Sequence, residues 1–506
     1  MIIESARPLI PILIVLITTI LISLSKKKPN VREFWSIAGS VLTFASVACM
    51  VPDIWCGFKI VYTLSSIAPG ISLNFRVDGL SLVFGIISSF LWIFATFYNI
   101  GYMRTLDEHA QTRYYTCFAI AILGAQGVAF SGSLFSLYLF YEIITIFTYP
   151  LVAHHQDTEG YAGAKKYIVY LMGTSKGLLL PAVILTYVMS GTLDFSDNII
   201  TGVFDKGADS VWIAVTYWLF IFGFAKAAIM PLHNWLPSAM VAPTPVSALL
   251  HAVAVVKAGV FCICRVMLST FGVGLLQYSQ LGLYTAYIVS FTILVASIIA
   301  LTKDDLKARL AYSTVSQLSY VVLGVALLDV SGITGGIIHI ANHGFSKITL
   351  FFCAGAIYVA THKKKISDMS GIGYAMPFTM GAFAIASLSM IGVPPVAGFV
   401  SKWYLLNGAM EIHNIPILII LMGSTILNAG YFAPITIRAF FQGNRSGWSR
   451  ENIKEAPITM VIPIVLAATI SVVLGLFPQF SWVLYGGCFL GDIFSKGTKG
   501  AHYGVL

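Results

Sequence analysis

Apolar stretches close to the ~20 residues needed to cross a ~30 Å hydrocarbon core recur from one end of this chain to the other, and no long polar block separates them. That recurrence constrains the fold more than any single motif. In lipid every backbone polar group has to be satisfied by the protein itself, and runs of this length satisfy it as helices. Only 10% of the residues are charged, against about 25% in a soluble domain. The sequence predicts one all-α polytopic membrane domain over residues 1–506.

Runs and breaks place about 14 transmembrane helices. Their expected starts lie near residues 7, 35, 79, 114, 133, 166, 211, 244, 279, 311, 333, 376, 414 and 457. Helices 1–3 fall in 1–110, helices 4–8 in 111–270, helices 9–13 in 278–440, and the last helix with a short tail in 456–506. Lys26, Lys27 and Lys28 follow the first apolar run, whereas a signal peptide carries its positive charge in front, so that run is expected to remain as a helix.

Charge gives an independent reading of topology. Loops after odd-numbered helices collect most of the Lys and Arg residues, among them Arg104, Arg113, Lys165, Lys303, Lys363, Lys364, Lys365 and Arg438. The opposite loops and the termini hold few, and the loop 191–210 is acidic. The protein is expected in the cell (inner) membrane with both termini on the non-cytoplasmic side. The net charge of +9 is explained by that topology, so nucleic acid is not an expected partner. The seven cysteines show no CxxC and no zinc-finger or ferredoxin spacing, so neither a metal nor an iron-sulfur site is expected from them.

What remains inside the expected helices is informative: Lys176, Lys226, Lys257, Arg265, Lys347, Lys402 and one deep carboxylate, Glu142. A charge at the bilayer centre costs at least about 2.5 kcal/mol, so such residues face a bundle interior, pair with one another or line a hydrated path. Two helices look broken, at FAKAAIMPLHNWLP and IGVPPVAGFVSKW, with Lys226 before Pro231 and Lys402 after Pro395. Paired interruptions in two halves of a transporter-like chain suggest an internal repeat with ion sites at its discontinuous helices.

Glu142 lies about ten residues into SLYLFYEIITIFTYP, where a carboxylate needs a cation or becomes neutral. Lys226 is its expected partner. The alternative is a structural ion pair or a neutral acid, and Lys176 is left open between the same network and a local hydrogen bond. His251 and Lys257 share the next helix, six residues apart and so not required to share a face. His339, His343 and Lys347 are spaced i, i+4, i+8 and stack along one helix face over about 12 Å. Histidines at i and i+4 also suit a metal, but no acidic third ligand accompanies them, and a proton chain is the preferred reading. Lys402 ends the series, with a snorkelling lysine at a helix end as its alternative. Arg265 is expected to mark the end of the eighth helix.

Taken together, NFRVDGLSLVF, KAAIMPLHNWLPSAMVAPTPVSALLHAVAVVKAG, HIANHGFSKITLFFCAG and GVPPVAGFVSKWYLL resemble the antiporter-like subunits shared by respiratory complex I, Mrp-type cation/proton antiporters and membrane-bound hydrogenases. The resemblance implies 14 helices with two inverted five-helix repeats and a central hydrophilic axis. It implies that Glu142 and Lys226 form the acid-lysine pair, that His251, His339, His343 and Lys347 lie on the connecting axis, and that Lys402 is the terminal lysine. The short tail, Lys402, YLMGTSKGLLLPAVILTYVMSGTLDF and VVKAG look most like Mrp D-type subunits and their hydrogenase counterparts. The expected function is translocation of protons, or of a cation coupled to protons, within a complex of membrane subunits in lipid, with sodium as a candidate ion. No redox cofactor is expected in this chain. A complex I proton-pumping subunit and a stand-alone secondary transporter are the alternatives.

Overall fold

The computed structural model of the protein describes residues 1–204, 210–442 and 454–478. The His251 side chain and the tail beyond residue 478 lie outside the described residues. Strand β1 (Ile2–Glu4) leads into α1 (Leu9–Leu24), α2 (Pro29–Ala48) and the single turn α3 (Val51–Trp55). A hairpin of β2 (Lys59–Ala68) and β3 (Ile71–Val77) precedes α4 (Gly79–Thr105), α5 (Gln111–Phe130) and α6 (Leu134–Val152). Helix α7 (Thr158–Thr174) runs through a π turn at Ser175–Leu179 into α8 (Leu180–Ser190), and α9 (Ser210–Gly223) follows. After the one-turn α10 (Trp235–Ser238), α11 (Thr244–Ala248) passes through a second π turn at Leu249–Val253 into α12 (Val255–Val266). The short α13 (Val273–Tyr278) precedes α14 (Leu281–Thr302), α15 (Leu306–Ala326) and α16 (Val330–Thr361). The chain continues with α17 (Ile372–Ala375), α18 (Pro377–Ile391), α19 (Ala397–Glu411), α20 (Ile415–Phe440) and α21 (Ile458–Leu476).

Helix starts are written locally in the sequence. Asp78, Ser133, Asp305 and Asp329 each accept a hydrogen bond from a backbone N–H of the first turn that follows, satisfying donors that have no partner within the helix. Among the described residues eight helical segments are long and apolar enough to cross a membrane, and α1, α9 and α18 are shorter apolar helices. The 32-residue α16 is buried almost throughout and packs against α4, α15, α18, α19 and α21, so its polar side chains sit in the middle of the bundle.

The expectation of an all-α chain needs correction. β1, β2 and β3 form a three-stranded sheet, β2 and β3 antiparallel with Ile60 opposite Val77 and Tyr62 opposite Phe75. The hairpin turns at Pro69-Gly70, where Gly70 has φ +74. Both flanks are rich in β-branched and aromatic residues, the usual signature of strands on either side of a turn. Arg76 and Lys59 each approach Asp197 at 3.0 Å, which ties the hairpin to the acidic loop after α8.

Both expected breaks are present. α9 ends at Gly223, a tight 3₁₀ turn covers Ala225–Ala227, and the Met230-Pro231 peptide is cis. α18 ends at Ile391, Gly392 takes φ +91, Pro394-Pro395 is cis and α19 begins at Ala397. Proline carries no N–H and disfavours helical geometry in the residue before it, so neither segment can continue as one regular helix.

Candidate functional site

Glu142 sits midway along α6 and is 8% exposed. Its Oε1 accepts a hydrogen bond from the Ser175 hydroxyl, and its Oε2 is 3.3 Å from Lys176 Nζ. Lys176 also donates to the Tyr138 hydroxyl at 2.7 Å, one turn before Glu142 on α6. Glu142 is therefore ion-paired with Lys176, which corrects the expectation that Lys226 is its direct partner. Ser175 and Lys176 open the π turn between α7 and α8. One inserted residue shifts a helix register by ~100°, which regular helical periodicity does not anticipate.

Lys226 lies within the first break, fully buried. Its ammonium donates to Tyr141 O at 2.8 Å and to Thr145 Oγ1 at 2.7 Å, and stands 3.0 Å from the centroid of the Tyr141 ring. Tyr141 is the neighbour of Glu142, so both lysines hold the same turn of α6. Gly259 on α12 makes room for this arrangement: a Cβ there would meet Ala227 N at 2.3 Å and Lys226 Cβ at 2.9 Å. The helix carrying Lys257 thus packs directly on the broken segment.

Lys257 Nζ is 2.5 Å from His343 Nδ1, and both residues are buried. The His343 ring is 5.9 Å from that of His339. His339 is held through both nitrogens, Nε2 to Gln317 Oε1 at 3.0 Å and Nδ1 to Ser401 Oγ at 2.8 Å. With the Gln317 oxygen as acceptor, Nε2 carries the hydrogen and Nδ1 accepts from the serine. Ser401 is the neighbour of Lys402, whose ammonium donates to Met390 O at 2.9 Å and Ile391 O at 2.8 Å, the last carbonyls of α18. A cation there satisfies acceptors that the helix end leaves unpaired and matches the negative end of the helix dipole. Lys402 is 6% exposed, so it is a buried group and not a snorkelling one. Its Nζ lies 5.3 Å from the Tyr320 ring, which is itself 5.6 Å from His339.

Lys347 shares α16 with the two histidines but reaches sideways, donating to Leu310 O at 3.0 Å and to the Ser313 hydroxyl on α15. It is a branch of the series, whereas His339 continues through Ser401 toward Lys402. His251 belongs to the π turn before α12, and its side chain lies outside the described residues. Among the described residues none of Lys226, Lys257, Lys347 and Lys402 has a carboxylate within ion-pair distance. The carbonyl and hydroxyl oxygens around Lys226, Lys347 and Lys402 accept most strongly from an ammonium and can also accept from a neutral amine, so these lysines are held by hydrogen bonds and not by a counter-charge.

Several participants carry no recognisable pattern in the sequence. Tyr141, Thr145, Ser175, Ser313, Gln317 and Ser401 are ordinary polar residues on helices, and only their neighbours give them a role. Arg265 does lie near the end of α12, as expected, yet it is also a buried strut: its guanidinium makes two bonds to Asp78, at 2.7 and 2.8 Å. The aspartate sits in the motif NFRVDGLSLVF, 187 positions before Arg265, and no local pattern marks the two as partners.

A family described as NADH:quinone oxidoreductase/Mrp antiporter, TM, matches residues 131–428, a span that contains every candidate residue from Glu142 to Lys402. The chain belongs to this family. It is 30% identical over 485 residues to NADH-quinone oxidoreductase subunit N of Desulforudis audaxviator, covering 93% of this chain and 95% of that protein. It is 29% identical over 502 residues to Na(+)/H(+) antiporter subunit A1 of Staphylococcus haemolyticus, covering 93% of this chain and 60% of that one. Its fold superposes on a chain of the Mrp complex from Dietzia sp. DQ12-45-1b with a TM-score of 0.85 at 22% identity, covering 98% of each. The family member described here is an antiporter-like membrane subunit, mostly helical, similar to subunits of multi-subunit membrane complexes.

Proposed function

We propose that this antiporter-like subunit moves protons, or a cation coupled to protons, by charge switching along its buried file of acid, lysine and histidine residues. Glu142 and Lys176 form one end, Lys226 follows at the first break, Lys257, His343 and His339 cross the interior, Lys347 branches from them, and Lys402 closes the file at the second break. His251 belongs to the file through its position beside α12. The observation that carries this reading is the 2.5 Å contact between Lys257 and His343. Two nitrogens at that distance share one proton: an ammonium donates to the imidazole, or the imidazole N–H donates to a neutral amine. Such a contact passes a proton without moving the backbone.

In this reading residues 111–270 and 278–440 are two five-helix repeats in inverted orientation, and the file joins their broken helices. Both termini face away from the cytoplasm, other membrane subunits supply the driving reaction, and lipid surrounds the assembly. A D-type subunit of an Mrp Na+/H+ antiporter, or its membrane-bound hydrogenase counterpart, is the favoured parent. The motifs around Lys176 and Lys257 and the fold match to an Mrp complex chain over 98% of both support it. A proton-pumping complex I subunit is the second reading, supported by 30% identity over 95% of a subunit N relative. Co-purification with small antiporter partners or with hydrogenase subunits supports the first reading, and co-purification with quinone-reductase subunits supports the second.

Reconstituted into vesicles, Lys226→Ala and Glu142→Gln are expected to abolish translocation while the complex still assembles. Wild-type rates in both variants would overturn the proposal.

A further inference from the structure

Away from the buried file, two loops at one end of the bundle bring metal-ligating side chains together. The α4–α5 connection supplies Glu108 and His109, and the α6–α7 connection supplies His154. One ligand atom from each of the three lies within 4.8 Å of the other two. Glu108 Oε2 is 3.5 Å from His154 Nε2 and 3.7 Å from His155 Nδ1, and the rings of His109 and His154 are 4.8 Å apart.

His154 is the independent observation. It is fully buried: its Nε2 faces Glu108 Oε2 at 3.5 Å without a well-formed hydrogen bond, and its Nδ1 has no hydrogen-bond partner. Buried imidazoles are ordinarily satisfied at both positions, because an unpaired polar atom loses its hydration for nothing in return. The backbone at this point is anchored, with Arg113 Nη2 donating to His154 O at 3.1 Å, so the ring does not leave the cluster freely.

We propose that Glu108, His109 and His154 form a binding site for a divalent first-row transition ion such as zinc, with His155 or water as the fourth ligand. Two imidazole nitrogens and one carboxylate oxygen suit zinc, whereas magnesium and calcium prefer all-oxygen shells. Tetrahedral ligation with bonds of ~2.0–2.1 Å needs donor atoms about 3.3 Å apart. The ligand atoms already lie within 4.8 Å of one another, Glu108 and His154 at 3.5 Å, and rotation of the exposed His109 side chain is what would close the remainder. His155, 3.7 Å from Glu108 Oε2, also lines a cavity of about 420 Å³ with Asp157, Glu159, Lys307 and Lys364 beside the cluster.

The location predicts a consequence. His154 follows the end of α6, which carries Glu142, and shortly precedes α7, which leads into the turn carrying Lys176. An ion held by both loops fixes α6 and α7 to the α4–α5 connection and restrains the helices that position the acid-lysine pair, so occupancy is expected to slow ion translocation.

The test uses the purified native complex, stripped with a chelator and titrated with zinc by calorimetry, and with cobalt(II) followed by absorption. Saturable one-to-one zinc binding and tetrahedral cobalt bands are expected, with affinity falling roughly tenfold or more in His109→Ala and in His154→Gln. His109 is exposed, so its variant carries the test even where His154→Gln fails to fold. Absence of saturable binding, or affinity unchanged in His109→Ala, overturns the site and leaves an adventitious ion only.

Discussion

Lys257 Nζ and His343 Nδ1 meet at 2.5 Å between α12 and α16, with both side chains sealed from solvent. The contact joins the half of the protein that contains Lys226 to the half that contains Lys402, and among the described residues it is the shortest direct link between two titratable groups of the file. Gly259, two residues after Lys257, presses α12 onto the first break. Gln317 and Ser401 hold the next ring, His339. The file is thus locked in place by the packing of helices that are far apart in sequence.

Removing one member of the contact should interrupt transport more than folding. A hydrogen bond involving a charged group is worth about 1.5–3 kcal/mol, a factor of roughly 10–150 if it is felt in the rate-limiting state. Lys257→Met is expected to lower proton uptake in proteoliposomes by that order while the complex still migrates as one species. Unchanged uptake speaks against a route through this pair.

Lys176 offers a sharper comparison because its side chain is 51% exposed, whereas that of its partner Glu142 is 10% exposed. An ion pair with one solvated member contributes only about 0–1 kcal/mol to stability. Lys176→Ala is expected to leave the melting temperature nearly unchanged and to reduce transport toward the level of Glu142→Gln. The double variant should be no worse than Glu142→Gln alone, since coupled residues are not additive. Additive losses would show that the two act separately.

Gly259→Ala tests the close approach at the first break. Its new methyl would lie 2.3 Å from Ala227 N, and backbone cannot yield as a flexible side chain does. Overpacking of this kind costs typically about 1–3 kcal/mol. A lowered melting temperature and slowed transport are expected together, because the displaced segment carries Lys226. A variant with wild-type melting behaviour would contradict the packing described.

The hairpin predicts a pH dependence outside the membrane. Partial burial pushes the Asp197 carboxyl upward, but Arg76 and Lys59 beside it prevail and hold it below its ordinary value. A depressed carboxyl stabilises the fold above its unfolded value, near pH 3.9, and loses that contribution as pH falls through the lower folded value. Limited proteolysis of the loop after α8 should therefore accelerate below about pH 4, and Asp197→Asn should show the fast rate already at neutral pH. The size of the effect is modest, since the Asp197 side chain is 59% exposed. Equal proteolysis of both proteins at neutral pH would remove Asp197 from the account.

Much of the helical frame was legible in advance. Helices begin at Gly79, Leu134, Pro377 and Ile458, close to the starts expected from apolar runs. Breaks were legible because Pro231, Pro394 and Pro395 remove backbone donors wherever they stand. The sheet was missed because β2 and β3, of 10 and 7 residues, are half polar and lie between the apolar runs that mark helices, so their pairing across Pro69-Gly70 leaves no membrane-span signal. The partner of Glu142 was missed for a different reason: the π turn at Ser175–Leu179 alters register without changing composition.

Sequence alone determined which residues had to be special. The penalty for burying a charge applies to Lys226, Lys257, Lys347, Lys402 and Glu142 whatever the arrangement of the helices around them. Only the tertiary structure decided who meets whom: Lys176 with Glu142, Lys257 with His343, Ser401 with His339, and Glu108 with His154. Burial follows from local hydrophobic patterning, whereas pairing depends on crossings and register shifts between helices distant in sequence, and no local pattern records those.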